Sequence, residues 1–258
     1  MIDMKKQLTV IVLIAIGLAI VGVGISNFPT ETKITSVQNT SIQTGTKSQL
    51  PSQLQSVSKT ITINIPAVDD QGNGVITKLK VQALSGEGRT LVNVDNLLFW
   101  VDTQFSIRTA KEVAENITQI DLSNVDLIYD IETNASVIEG ESAGAALAIA
   151  TLAAIQNKTV NQSVIITGTI NPNGDIGPIG GVIAKAKAAK DVGAALFLVP
   201  EGQSIQVNYI PERKCEKVGP ITYCKTDYKQ EAIDISKDIG IDVIEVSDIQ
   251  EALKYFIE

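Results

Sequence analysis

The chain has 258 residues, enough for one sizeable hydrophobic core with appendages. Its 29 acidic and 21 basic side chains give a formal charge of -8, which argues against nucleic acid as a partner. No histidine occurs, so the commonest general base and zinc ligand and the Ser-His-Asp and Cys-His mechanisms are excluded. We therefore expect no metal ion and no cofactor, and lysine is the main candidate base for any serine nucleophile.

The first predicted element is an apolar stretch without charges at residues 8–25, just long enough to cross a bilayer. Lys5 and Lys6 precede it, whereas Glu31 and a lone Lys33 follow it, so the positive-inside rule puts the N-terminus in the cytoplasm. We predict a single-pass cell-membrane anchor within residues 1–28, with the rest of the chain outside. A cleaved signal peptide is the alternative, although no A-x-A site follows the stretch.

Residues 29–58 are rich in Ser, Thr and Gln and carry no helical periodicity, which predicts a disordered tether. A globular domain is predicted for residues 59–258. After Lys59 the segment T-I-T-I-N-I-P alternates polar and apolar residues like a half-buried strand. A turn at residues 71–74 and a second strand at 75–84 complete a hairpin.

Further helices and strands follow in alternation. A helix capped by Asp102 or Thr103 is expected to run to about Asn116. Its predicted apolar positions are Phe105, Ala110, Val113 and Ala114. The remaining predicted elements are a strand at 125–131, a helix from Ser142 to about Gln156, a strand at 164–170, a helix after the glycine-rich 177–181, strands at 196–200 and 241–246, and a helix at 249–256. Two βα units after opening hairpins predict an α+β fold rather than a doubly wound sheet.

Cys215 and Cys224 bracket a turn at Gly219-Pro220, which predicts a hairpin closed by a disulfide bond. The spacing does not match a C-x-x-C redox pair, and a location outside the membrane permits oxidation. Two unlinked thiols are the alternative.

The most informative stretch is I-E-G-E-S-A-G-A-A-L-A-I-A at residues 138–150, where a glycine turn and one serine precede an alanine-rich helix. Backbone N–H groups at such a helix start lack intrahelical partners and can hold a developing oxyanion. Taken alone, the stretch is better explained by Ser142 merely capping the helix.

Two segments together resemble the Lon protease family. E-G-E-S-A-G at residues 139–144 resembles the family's nucleophile signature, D-G-[PD]-S-A-[GS], and T-G-T-I-N-P-N-G-D-I-G-P-I-G-G-V-I-A-K at 167–185 resembles its second block, T-G-E-I...G...P-I-G-G-x-x-x-K. Ser142 and Lys185 are 43 residues apart, which is the family's spacing between its catalytic serine and lysine. The resemblance spans about residues 59–258 and is strongest over 125–200.

This resemblance implies a Lon-like fold and a Ser-Lys dyad peptidase. Ser142 would be the nucleophile, Lys185 the general base and Thr167 a hydroxyl that orients the lysine. Val182, Ala186 and Ala189 give Lys185 an apolar helix face, as a neutral amine requires. The alternatives are a surface lysine and an ordinary strand threonine. Family protease domains form rings, so a homo-oligomeric ring is expected.

Glu139 and Glu141 depart from the family signature, and either carboxylate would raise the pKa of Lys185 if it approached the amine. No P-loop motif G-x-x-x-x-G-K-[ST] occurs, so we expect unfolded proteins or peptides as substrates. The sequence therefore predicts a membrane-anchored, ATP-independent serine endopeptidase outside the cell. The alternative is a catalytically inactive, membrane-tethered binding or assembly module with the same fold.

Overall fold

A computed structural model describes residues 59–93, 101–132 and 140–257, all within one compact unit. The predicted anchor at 8–25, the predicted tether at 29–58 and Glu139 lie outside these ranges. Within them, no helix combines the length and apolar character needed to cross a bilayer.

The first sheet begins with the predicted hairpin, β1 (Thr60–Val68) and β2 (Gly74–Ser85). Alternate β1 residues are buried as the polar-apolar pattern requires. Two further strands, β3 (Thr90–Val92) and β4 (Val125–Glu132), complete the order β1-β2-β4-β3. β4 pairs antiparallel with β2 and parallel with β3, so the sheet is mixed.

Helix α1 (Val101–Thr118) covers the predicted segment and extends slightly beyond it. The placement of Phe105 in the core is wrong: its side chain is 54% exposed, and the Arg108 guanidinium lies 5.6 Å from its ring centroid. The buried stripe of the helix passes through Ile107 instead, because the helical period carries position 105 off that face. The other three predicted positions, Ala110, Val113 and Ala114, are buried.

Helix α2 (Gly144–Ile155) is the central element, since each of its residues is buried. It contacts α1 on one side and the first sheet on the other. Its alanines and its first glycine let these neighbours approach closely: a Cβ on Gly144 would lie 2.6 Å from Ile170 Cγ2. A helix that is apolar on every side is stable only inside a core. Packing against its neighbours therefore fixes the position of the first residues of α2.

The second sheet is parallel, with the order β11-β8-β5. It consists of β5 (Val164–Ile166), β8 (Leu196–Pro200) and β11 (Asp242–Val246). Helix α3 (Val182–Asp191) joins β5 to β8, and helix α4 (Ile249–Phe256) follows β11. The mixed helix and strand content of the α+β prediction is confirmed.

The single strand predicted at 164–170 is in fact broken. β5 ends at Ile166, and β6 (Thr169–Ile170) forms a small antiparallel hairpin with β7 (Ile176–Gly177). The Thr167 N–H still donates to the Leu198 carbonyl of β8 at 3.1 Å, whereas the Thr167 hydroxyl and the Gly168 N–H both donate to the Ser142 carbonyl.

The last sheet is a long two-stranded hairpin, β9 (Ile205–Val218) and β10 (Ile221–Asp234). Cys215 lies directly opposite Cys224, and the predicted disulfide bond is confirmed. Side chains along nearly the whole hairpin are exposed, so it projects from the core rather than contributing to it.

Candidate active site

Ser142 lies in the middle of a one-turn 3-10 helix, Glu141–Ala143, immediately before α2. Gly140 precedes this turn with φ +102°, a conformation that favours glycine, and so turns the chain into it. Gly140 and Ala143 occupy the cap positions, and no side chain forms a capping hydrogen bond there. Ser142 is therefore not the helix cap, and its hydroxyl is available for another partner.

That partner is Lys185, whose Nζ donates to Ser142 Oγ at 2.8 Å. Lys185 lies one turn into α3, which begins after Gly181. Gly181 has φ +68°, and a Cβ at this position would lie 2.7 Å from Val68 Cγ2. The glycine therefore lets α3 begin close to the end of β1, where the lysine reaches the serine.

Lys185 is only 4% exposed, and this burial lowers its pKa from the usual 10.5 to about 8. Among the described residues, no carboxylate forms an ion pair with it to counter that effect. Lys187 and Lys190, on the same helix, are exposed as the sequence predicts. The fold thus buries Lys185 and leaves the other two lysines of the helix in water.

Thr167 is buried, and its hydroxyl donates to the backbone carbonyl of Ser142 at 3.2 Å. The Gly168 N–H donates to the same carbonyl at 3.0 Å, and the Gly168 carbonyl accepts from the Ala145 N–H at 3.0 Å. The sequence associates Thr167 with the lysine, whereas its observed hydrogen bond is to the serine peptide. Thr167 and Gly168 therefore fix the backbone on which the hydroxyl is carried.

Of the two acids predicted to modulate the lysine, the structure describes one. Glu141 is exposed and lines the cleft beside Ser142, without an ion pair to Lys185. Glu139 lies outside the described ranges, so its predicted influence stays a prediction.

Ser142 and Lys185 open into a cleft of about 440 Å³. Its other lining residues are Ala67, Val68, Gly140, Glu141, Thr169, Pro178, Ile179, Gly180 and Gly181. Sequence analysis missed the contribution of β1, because nothing local marks Ala67 and Val68 as neighbours of a serine far along the chain. Within residues 59–93, 101–132 and 140–257, no group of three or more His, Cys, Asp or Glu is arranged to hold a metal ion.

Gln203 is a second residue that sequence analysis missed. Its Oε1 accepts from the Ile179 N–H at 2.9 Å, and its Nε2 donates to the Ile179 carbonyl at 2.8 Å. Two hydrogen bonds from one amide fix both the position and the orientation of this cleft-lining peptide. A lone glutamine in a loop carries no sequence signal for such a role.

The site is thus a serine hydroxyl hydrogen-bonded to a buried lysine at the start of a buried helix, within a domain of mixed helix and strand content. The family model of the Lon protease (S16) C-terminal proteolytic domain matches residues 101–233, which is half of the chain. The protein belongs to this family of serine-type peptidase domains.

Individual proteins similar to this chain are also Lon proteases. The chain is 38% identical over 96 residues to the archaeal Lon protease of Thermoplasma volcanium, covering 37% of this chain and 15% of that protein. It is 30% identical over 166 residues to the archaeal Lon protease of Methanocaldococcus jannaschii, covering 59% and 26%. Lon protease 2 of Bacillus subtilis is 44% identical over 75 residues, covering 28% and 14%. The chain therefore spans about a quarter or less of these relatives' lengths.

Proposed function

We propose that this protein is a serine endopeptidase in which Ser142 and Lys185 form the catalytic dyad. The observation that carries this assignment is the 2.8 Å contact between Ser142 Oγ and the Nζ of a buried lysine. In the structure the Lys185 amine is the donor of this hydrogen bond. When the amine is neutral, the same distance lets it accept the proton of the Ser142 hydroxyl.

In the proposed reaction the neutral Lys185 amine takes the Ser142 proton while Oγ attacks the scissile carbonyl carbon. The carbonyl oxygen becomes an oxyanion, which we expect the N–H groups without intrahelical partners at the start of the 3-10 helix to stabilise. The lysine ammonium then protonates the leaving amine as the C–N bond breaks. A water molecule, deprotonated by the same amine, hydrolyses the acyl-serine ester and restores the free hydroxyl.

The pKa of about 8 suits this cycle. At pH 7 roughly a tenth of the Lys185 amines are neutral, whereas at a pKa of 10.5 fewer than about one in a thousand would be. The protonated form also remains a strong enough acid to give its proton to the leaving amine.

Extended polypeptides are the substrates that this cleft fits best. It is bordered by the apolar end of β1 and by the Ile179 peptide, which can contact an unfolded chain but not a folded surface. The 258 residues contain no P-loop motif, so we propose that cleavage proceeds without ATP hydrolysis by these residues. Assembly into a homo-oligomeric ring is part of the same proposal, and gel filtration of the full chain in detergent tests it.

We further propose that residues 8–25 anchor the chain and that the peptidase domain lies outside the membrane. The charge distribution around Lys5 and Lys6 supports this orientation. So does the Cys215–Cys224 disulfide bond, which suits an oxidising compartment. Protease added to intact cells should degrade the domain; protection until the cells are lysed would contradict the orientation.

Hydrolysis of a casein-type unfolded substrate tests the dyad. Ser142→Ala and Lys185→Ala should each lower kcat by a factor on the order of 10⁴ or more. Lys185→Arg should not restore activity, because guanidinium does not act as a base near neutral pH. Lys187→Ala, an exposed lysine on the same helix, is the matched control and should remain fully active.

The rival role, an inactive binding or assembly module, predicts a different result with a serine-directed covalent inhibitor. An active dyad should label at Ser142, and Lys185→Ala should slow that labelling. Absence of labelling in the wild-type chain, or undiminished casein cleavage in both dyad variants, would overturn the peptidase assignment.

A further inference from the structure

The two faces of the β9–β10 hairpin differ in the charges they carry, as the strand register shows. Residues directly opposite each other share a face, so the face that contains Cys215 and Cys224 can be followed from base to tip. We call it the outer face; it consists of Ile205, Val207, Tyr209, Pro211, Arg213, Cys215, Lys217, Thr222, Cys224, Thr226, Tyr228, Gln230, Ala232 and Asp234. Aliphatic and aromatic side chains occupy its lower half, and two cations occupy the half near the tip.

The opposite face, called here the charged face, carries seven charged side chains as well as the exposed Ile210, Val218, Ile221 and Tyr223. Lys225 pairs with Asp227 at 2.9 Å, and Lys214 lies 4.0 Å from the same carboxylate. On the outer face, by contrast, Asp234 at the base is paired with Lys237 at 2.6 Å. Arg213 and Lys217 have no ion pair within the described part of the chain, so the outer face carries unpaired positive charge beside apolar surface.

The outer face also points away from the domain. At the base of the hairpin, Gln206 and Ile233 on the charged face are half-buried, and Gln206 donates to the Gln203 carbonyl at 3.1 Å. Their neighbour Ile205 on the outer face is 55% exposed. Val218 and Ile221 at the tip are also exposed, but their register puts them on the charged face. Each strand has 14 residues, so the outer face extends for about 45 Å, with its aliphatic and aromatic side chains in the lower half.

We propose that the outer face lies on an anionic lipid surface, which places the peptidase domain against the membrane. Tyrosine is enriched at the water–lipid interface, where its ring is apolar and its hydroxyl is hydrated. Arginine and lysine beside apolar surface add attraction to anionic headgroups. The remainder of the chain is acidic, since the hairpin contributes equal numbers of each charge to a total of -8, so this face is distinct in sign.

The length of the tether agrees with this partner. If residues 29–58 form the flexible tether that their sequence predicts, their root-mean-square span would be about 30 Å, which is shorter than the hairpin. A domain held that close meets the bilayer continually, so weak contacts suffice to orient it. This contact rests on the anchoring proposed above, and the tests of the two are separable.

Fluorescence quenching by brominated lipids tests the contact, with the full chain reconstituted in vesicles that contain anionic lipid. Tyr228→Trp reports on the outer face and Tyr223→Trp on the charged face; the two side chains are 66% and 65% exposed and differ in direction. Both variants carry Trp100→Phe, which removes the chain's one native tryptophan. Tryptophan at 228 should be quenched severalfold more than tryptophan at 223.

Charge variants sharpen the test. Arg213→Gln with Lys217→Gln should lower the ratio of bound to free hairpin by about 25-fold, at about fivefold per cation. High salt should have a similar effect, whereas Lys214→Gln with Lys225→Gln on the charged face should leave quenching at 228 unchanged. Equal quenching at 223 and 228, none at 228, or cross-linking of two copies through Tyr228 would overturn the proposal.

Alkaline extraction of the same vesicles tests the membrane anchor separately from the hairpin contact. Release of the chain by extraction would contradict the anchor, whatever the quenching at 228. Retention of the chain with no quenching at 228 would contradict the hairpin contact alone. Casein cleavage by the same variants reports separately on the dyad.

Discussion

In the cleft, Lys185 is almost fully buried and has no carboxylate partner among the described residues, whereas on the hairpin Lys225 is exposed and lies 2.9 Å from Asp227. The lysine in the cleft costs the fold stability, because burial without a counter-charge disfavours its protonated form. The lysine on the hairpin costs little and contributes little, since water screens an exposed pair. A buried lysine without a counter-charge, such as Lys185, is typical of a functional site. An exposed lysine paired with a carboxylate, such as Lys225, is typical of a solvated surface.

The largest expected effect comes from Lys185→Met, which keeps the side-chain length and removes the amine. Turnover should fall to the level of Ser142→Ala, while the free energy of unfolding at pH 7 should rise by about 3 kcal/mol. Since the folded-state pKa of about 8 lies below the unfolded value of 10.5, the unfolded chain binds more protons between those pH values. The wild-type chain therefore gains stability as pH rises through this window, and the variant's advantage should shrink.

Chemical denaturation at pH 7 and at pH 10 measures that difference. The exposed Lys187→Met is the control and should show no comparable gain. A destabilised Lys185→Met protein at pH 7 would mean that the buried amine has a counter-charge after all, and Glu139 would be the first residue to examine.

The next effect is the pH dependence of turnover. Only the neutral Lys185 amine accepts the Ser142 proton, so kcat/KM should rise with pH and level off above about 8. Between pH 6 and pH 8 the neutral fraction increases about fiftyfold, and kcat/KM for a fluorogenic peptide should follow it. A profile that is flat across this range would remove Lys185 from the role of base.

Thr167→Val should have a smaller effect, a fall in kcat of about tenfold, because it removes one of two hydrogen bonds to the Ser142 carbonyl. Thr167→Ser retains the hydroxyl and should recover most of the activity. If Thr167 positions the serine, the midpoint of the pH profile should stay in place. A midpoint shifted in Thr167→Val would show that the hydroxyl acts on the lysine, as the family resemblance implies.

The smallest effect on turnover is expected from opening the hairpin. Replacing Cys215 and Cys224 with serine should make local unfolding of β9 and β10 easier by about 2–3 kcal/mol, measured by amide hydrogen exchange. Hydrolysis of a short peptide should be unchanged, since neither strand lines the cleft. Loss of peptide hydrolysis would show that hairpin and cleft are coupled, and Gln203, which holds the Ile179 peptide, would be the first residue to examine.

The sequence was most informative where local chemistry determines structure. The G-E-S-A-G turn, the disulfide and the spacing from Ser142 to Lys185 could all be predicted, because glycine geometry, cysteine pairing and two ordered motifs act locally or in combination. The exposure of Phe105 could not be predicted, because tertiary packing determines which face of α1 is buried. The roles of Val68 and Gln203 at the cleft could not be predicted either. They depend on the tertiary fold, which brings β1 and the β8–β9 loop to the cleft.

The break between β5 and β6 has a consequence for the chain before it folds. Ser142, Thr167 and Lys185 come from three separate segments, and the serine backbone is fixed only when Thr167 and Gly168 dock on it. In an extended chain Lys185 is hydrated, its pKa returns to the usual 10.5, and its amine is protonated at neutral pH. The proposed dyad is thus absent from the unfolded chain, because folding both brings Lys185 to Ser142 and lowers the pKa of its amine.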